Sequence, residues 1–185
     1  MSQLFQLWLP IMVAAAAVFI ASSLIHMVFK WHNSDYKKLA NEDEVRAAVR
    51  AGSPAPGQYV MPHCMDMKDM KEDAMKQKFR EGPIGLLTIR ANGEPNMNAS
   101  LSQWFVLTIV IAAIAACVAL QAFGIKGNTH NFAHLVGVLS FLAYGCGGVQ
   151  SAIWMGLPWS SAAKGLLDAL IYGTVSALAF MWLMP

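Results

Sequence analysis

Charge is scarce in this sequence, and its distribution says more than its amount. Only 13% of the 185 residues are Asp, Glu, Lys or Arg, against about 25% in an average soluble domain. Eleven of the thirteen basic residues and ten of the eleven acidic ones lie between residues 30 and 99, which leaves Lys126, Lys164 and Asp168 for the rest of the chain. A net charge of +2, mixed in sign, offers little to a nucleic-acid backbone. Cysteine is scarce too: Cys64, Cys117 and Cys146 are odd in number, and two sit in apolar runs, so no disulfide framework is implied. Internal repeats and low-complexity tracts are missing as well.

What is abundant is apolar sequence, 56% of the chain, at a mean hydropathy of +0.45. Four runs reach the length of about 20 residues that crosses a hydrocarbon core of about 30 Å: Leu4 to Phe29, Leu101 to Phe123, Phe132 to Met155 and Ser161 to Leu183. The connections GIKGNTHN and GLPWSS are short and force antiparallel neighbours. The expected fold is an all-α membrane protein: an antiparallel four-helix transmembrane bundle with a small α+β polar insert between helices 1 and 2. Residues 1–29 form the first helix, 30–99 the polar cap module, and 100–185 the other three helices. The first run is too long for a signal peptide and lacks a basic start, so it is expected to be retained. Lys30, Lys37, Lys38, Arg90 and Lys164 flank one side and Lys126 alone the other. By the positive-inside rule this puts the insert in the cytoplasm and both termini outside.

Within the insert, NEDEVRAAVRAG reads as a helix with Asn41 and Glu44 as a capping box and Gly52 as its stop. PAPGQYVM is extended, MDMKDMKEDAMKQKF is a second helix with Met67, Met70 and Phe79 on its apolar edge, and IGLLTIR is a strand closed by ANGEP.

The stretch IHMVFKWHNSDYKKL, residues 25–39, is where the first helix meets water. Trp31, Asp35 and Tyr36, with Trp159 at the start of the fourth helix, suit an interface belt. His26 lies about one turn inside the boundary, where an imidazole requires a partner. Haem shared between His26 and His134 is disfavoured, because an up-and-down bundle separates them by about 25 Å. A metal set is conceivable on the cap side, from His26, His32, His63 and Cys64, with Met61, Met65, Met67 and Met70 nearby. Soft sulfur beside imidazole suits copper(I) or zinc. No recognised ligand spacing supports the set, and the methionines equally suit apolar packing.

The fourth helix carries two stripes. Ser160, Lys164, Asp168, Tyr172 and Ser176 recur every four residues, and Gly165, Ala169, Gly173 and Ala177 run beside them. In lipid the polar stripe must face protein, and the small stripe makes a helix–helix seam, within the bundle or between copies in a homo-oligomer. Lys164 and Asp168 are an i, i+4 pair. Gln150 falls at the depth of Asp168 and is expected to contact it, completing an intramembrane cluster of Gln150, Lys164, Asp168 and Tyr172. Such a carboxylate marks either a functional site or a register-fixing ion pair.

The motifs HMVFKWHNSDYKKL, QYVMPHC, EGPIGLLTI and WSSAAKGLLD together resemble a family of small, uncharacterised bacterial inner-membrane proteins. The resemblance covers nearly the whole chain. It implies four helices and a cytoplasmic-facing insert, and carries no activity, cofactor or catalytic residue with it. Three functions stand open: a non-catalytic accessory, assembly or scaffold subunit contacting the bilayer and a protein partner; a membrane-embedded metal or redox site; and, more weakly, an oligomeric channel or transporter using Asp168.

Overall fold

A computed structural model describes residues 2–185. The chain divides into two compact units, one holding everything up to Tyr36 and from Asn96 onward, the other Lys37–Pro95. The elements in chain order are α1 (Ser2–Phe5), α2 (Trp8–Ser23), α3 (Glu42–Ala51), β1 (Gly57–Met61), α4 (Asp73–Glu81), β2 (Gly85–Ile89), α5 (Met97–Phe123), α6 (Thr129–Met155) and α7 (Trp159–Leu183). Residues 30–36, which hydropathy assigns to the insert, belong to the helical unit.

The polar unit is built on a two-stranded antiparallel sheet, β1 against β2, with Tyr59 opposite Leu87. Asn41 precedes α3, but its side chain donates to Glu44 at 3.4 Å instead of capping a backbone N–H. The second expected helix is shorter than its sequence pattern. A 3-10 turn over Asp69–Lys71 leads into α4, and Met67 and Met70 are exposed.

In the helical unit, Pro10 lies in the first turn of α2, where a missing N–H breaks no helical bond. Below Ser23 the rod continues through a π-wound turn, Leu24–Phe29, so the apolar stretch from Trp8 to Phe29 is unbroken. This rod, α5, α6 and α7 are each long and apolar enough to cross a membrane. Asn96 Oδ1 accepts from the Ala99 N–H and Asn128 Oδ1 from the Asn131 N–H, each at 3.0 Å. These caps explain why α5 and α6 begin before their apolar runs.

Each long helix packs against two others: α2 on α5 and α7, and α6 on α5 and α7. The interior is made of small side chains. Ala14, Ala112, Ala116, Ala119 and Ala133 are buried with Leu7, Phe132 and Phe180, while Ile20, Val106, Ile114, Trp154 and Trp182 are more than half exposed. A water-soluble unit would bury the large apolar groups; lipid makes no such demand, and close backbone approach governs instead.

The small stripe of α7 is used inside the chain. A Cβ on Gly173 would lie 2.7 Å from the Gly137 carbonyl oxygen, and one on Gly145 would lie 3.0 Å from the Ala169 Cβ. Ala169, Gly173 and Ala177 therefore pack against α6 within the chain, whereas Gly165 has open space before it. Gly173→Ala should destabilise by about 1–3 kcal/mol through overpacking. Gly165→Ala should be neutral or stabilising by up to about 1 kcal/mol from helix propensity. Thermal unfolding of the two variants in detergent compares them, and equal effects would remove the seam.

Candidate metal centre

Where α2 ends, the backbone sets up the site. The π-wound turn closes with the Lys30 N–H on the Ile25 carbonyl at 2.8 Å, and Lys30 adopts a left-handed conformation (φ 55°). That reversal starts a 3-10 turn, Trp31–Asp35, which doubles back instead of leading away. On a continuing helix, His26 and His32 would point about 120° apart at 100° per residue. After the reversal their rings stack, with centroids 4.9 Å apart and planes within 6°.

The doubled-back turn meets α7. Asp168, with 5% of its surface exposed, accepts from Trp31 Nε1 at 3.1 Å on one oxygen, and the other lies 2.7 Å from His32 Nε2. The second nitrogen of His32, Nδ1, lies 3.0 Å from Asp35 Oδ2. Lys164 donates to Asp35 Oδ1 and Ser34 Oγ, each at 2.7 Å, and to the Trp31 carbonyl at 2.9 Å. All three ammonium protons are thereby used. The Lys164 hydrogen bond holds the Asp35 carboxyl below its usual range against the opposing effect of burial, with His32 and Ser161 assisting.

Proton counting shows what this arrangement can do. Carboxylates only accept, so an imidazole between two of them needs either both ring protons or one proton and a cation. His26 Nδ1 faces the Ser22 carbonyl at 2.9 Å. A carbonyl also only accepts, so Nδ1 carries the proton and Nε2 of a neutral ring presents a lone pair. His26, His32 and Asp168 each offer a ligand atom, all within 4.8 Å of one another. In an occupied site with metal–nitrogen bonds of about 2.0–2.1 Å, donors stand roughly 3–3.5 Å apart. Closing the set from 4.8 Å takes a shift of roughly 1–2 Å, which exposed His26 can make by pivoting about its bond to the Ser22 carbonyl.

Beside the cluster lies a groove of about 530 Å³ to which all four long rods contribute. Its walls include Trp104 of α5, Tyr144 of α6 and Tyr172 of α7. Tyr144 and Tyr172 meet edge to face at 5.3 Å, and both approach Trp104.

Three expectations about the helical unit are corrected here. Asp168 does not contact Gln150, which is exposed; both Asp168 oxygens are taken by the turn at residues 31–32. Lys164 and Asp168 do not pair, because each finds a better-placed partner in that same turn. Trp31 and Asp35 point into the protein, whereas Tyr36 and Trp159 are exposed at 84% and 64%, as an interface requires. His63 and Cys64 belong to the polar unit, where the Cys64 thiol donates to the Asp66 carbonyl at 3.4 Å. Within the helical unit, Asp168 is the third donor beside the two histidines. The missed signal was an intramembrane carboxylate in need of donors, six residues of chain after His26 being able to supply them. No family model matches this chain, and no curated protein or solved structure matches it either.

Lys164→Met should lower the thermal midpoint in detergent, since it leaves the Asp35 carboxylate without its main partner. Adding Asp35→Asn should recover more than half of that loss, as coupled partners do. Additive losses would show that the two residues act separately.

Proposed function

We propose that this chain is a multi-pass membrane protein that binds one divalent transition-metal ion through His26, His32 and Asp168. The observation that carries this reading is the anchoring of both imidazoles. Each Nδ1 is tied to an oxygen acceptor, the Ser22 carbonyl or the Asp35 carboxylate, and the three side chains converge on one small volume. Metal-bound histidines are held in this way, with the outer oxygen fixing the tautomer and raising ligand basicity. Two imidazoles and one carboxylate with open positions suit zinc or iron(II). Without a thiolate or thioether in the set, copper(I) loses its advantage. A cation there would replace the His32 Nε2 proton and hold Asp168 by charge.

The same reading takes the four rods as an antiparallel bundle in a bacterial inner membrane. In support, one buried cluster joins the start of α2, the end of α5, the start of α6 and the end of α7, and a second joins Val18, Ile25, Trp104, Tyr144 and Tyr172. Exposed Trp8 and Trp182 would mark one interface, Trp154 and Trp159 the other. The basic residues near the second interface favour the cytoplasm for that side and for residues 37–95.

A second reading keeps the chain as a non-catalytic accessory or assembly subunit. Its support is the Lys164 network, which by itself latches the turn at residues 31–35 onto α7. Metal analysis of the purified full chain separates the two. The metal reading expects about one zinc or iron per chain, reduced at least tenfold by His26→Ala and by His32→Ala while the fold survives. A metal-free, folded protein would return the accessory reading to first place. Metal lost instead on His63→Ala or Cys64→Ser would restore the sulfur-containing set.

A further inference from the structure

The groove beside the cluster mixes polar and aromatic walls: His26, Asp168 and Ser22 line it together with Trp104, Tyr144 and Tyr172. Its volume of about 530 Å³ lies within the range of about 300–1,000 Å³ typical of small-molecule sites. Walls that meet edge to face select flat rings, whose own edges and faces match them. Gly165 lines the groove with nothing within 4 Å of where a Cβ would stand, so a ring can approach the α7 backbone closely.

We infer that this groove binds a membrane-partitioning aromatic ring bearing a hydroxyl, of the phenol or quinol class, with its polar edge toward Asp168 and His26. The inference deepens the metal-site reading, because the ring hydroxyl then faces the open coordination side. A hydroxyl placed there donates to Asp168 or reaches the ion. A free alkyl chain would gain nothing from the aromatic walls. A strongly hydrated solute would not reach a groove walled by apolar side chains at this depth.

The test uses the full chain in lipid nanodiscs and a fluorinated probe, 2-fluoro-4-decylphenol, followed by fluorine NMR. Saturable binding at one probe per chain is expected, weakened about tenfold or more by Gly165→Leu, whose side chain would occupy the ring position. Tyr144→Ala should weaken it as well, and Gly165→Ala, which leaves most of the groove open, serves as the folded control. Decanol, which has the hydroxyl and tail but no ring, should not compete. Competition by decanol at equal concentration would overturn the ring class, and partition without saturation would overturn the site. Metal content measured on the same samples keeps the readings apart. Saturable binding to metal-free protein would sink the metal reading alone, and stoichiometric metal without saturable binding would sink this one alone.

Discussion

A carboxylate within an apolar helix must be given donors, and the helical unit is organised around that demand. Asp168 is buried on α7 and takes an indole N–H and an imidazole edge. Left unpaired there, it would carry the large penalty of an ion removed from water. The left-handed Lys30, the tight turn after it and the inward set of Trp31 and His32 all serve to deliver those donors. Lys164, one turn before Asp168, then fixes the turn from the other side through Asp35 and two further oxygens. Two cationic and two anionic groups end up interleaved, so no charge in the cluster lacks a counterpart when His32 is protonated or an ion takes the proton's place.

That demand also explains the composition of the interior. The rods approach through alanine and glycine because lipid already solvates leucine and isoleucine, and the remaining gain lies in close contact. The α6–α7 pair is the tightest case, with Gly137 and Gly173 back to back. Further along the same pair Gly145 packs against Ala169, and beyond it Asp168 and Gly165 line the groove.

Much of this was legible in the residues. Four apolar runs, the two strands of the insert and the two stripes of α7 follow from composition and period alone. From Lys164 to Ser176 the polar stripe does face protein, whereas Ser160 at its start is exposed. What could not be read was the path of the chain after Phe29. A π-wound turn carries no sequence signature, and a left-handed lysine is uncommon enough that a straight exit is the natural expectation. With a straight exit, residues 31–36 are interface decoration and Asp168 must look to α6, which is how Gln150 came to be its expected partner. The seam on α7 was legible as a seam, but pattern alone does not distinguish a neighbour in the same chain from one in another copy.

One consequence lies in the winding of the last turn of α2. A π turn accommodates one residue more than an α turn over the same rise, and helices can trade one for the other. Were Leu24–Phe29 to rewind as α-helix, every side chain beyond it would rotate by about 100°. His26 would leave its stacking partner, and Trp31 and His32 would withdraw from Asp168 together. The rigid glycine-seamed pair would stay in place, so the site has a fixed jaw on α7 and a register-dependent jaw on α2.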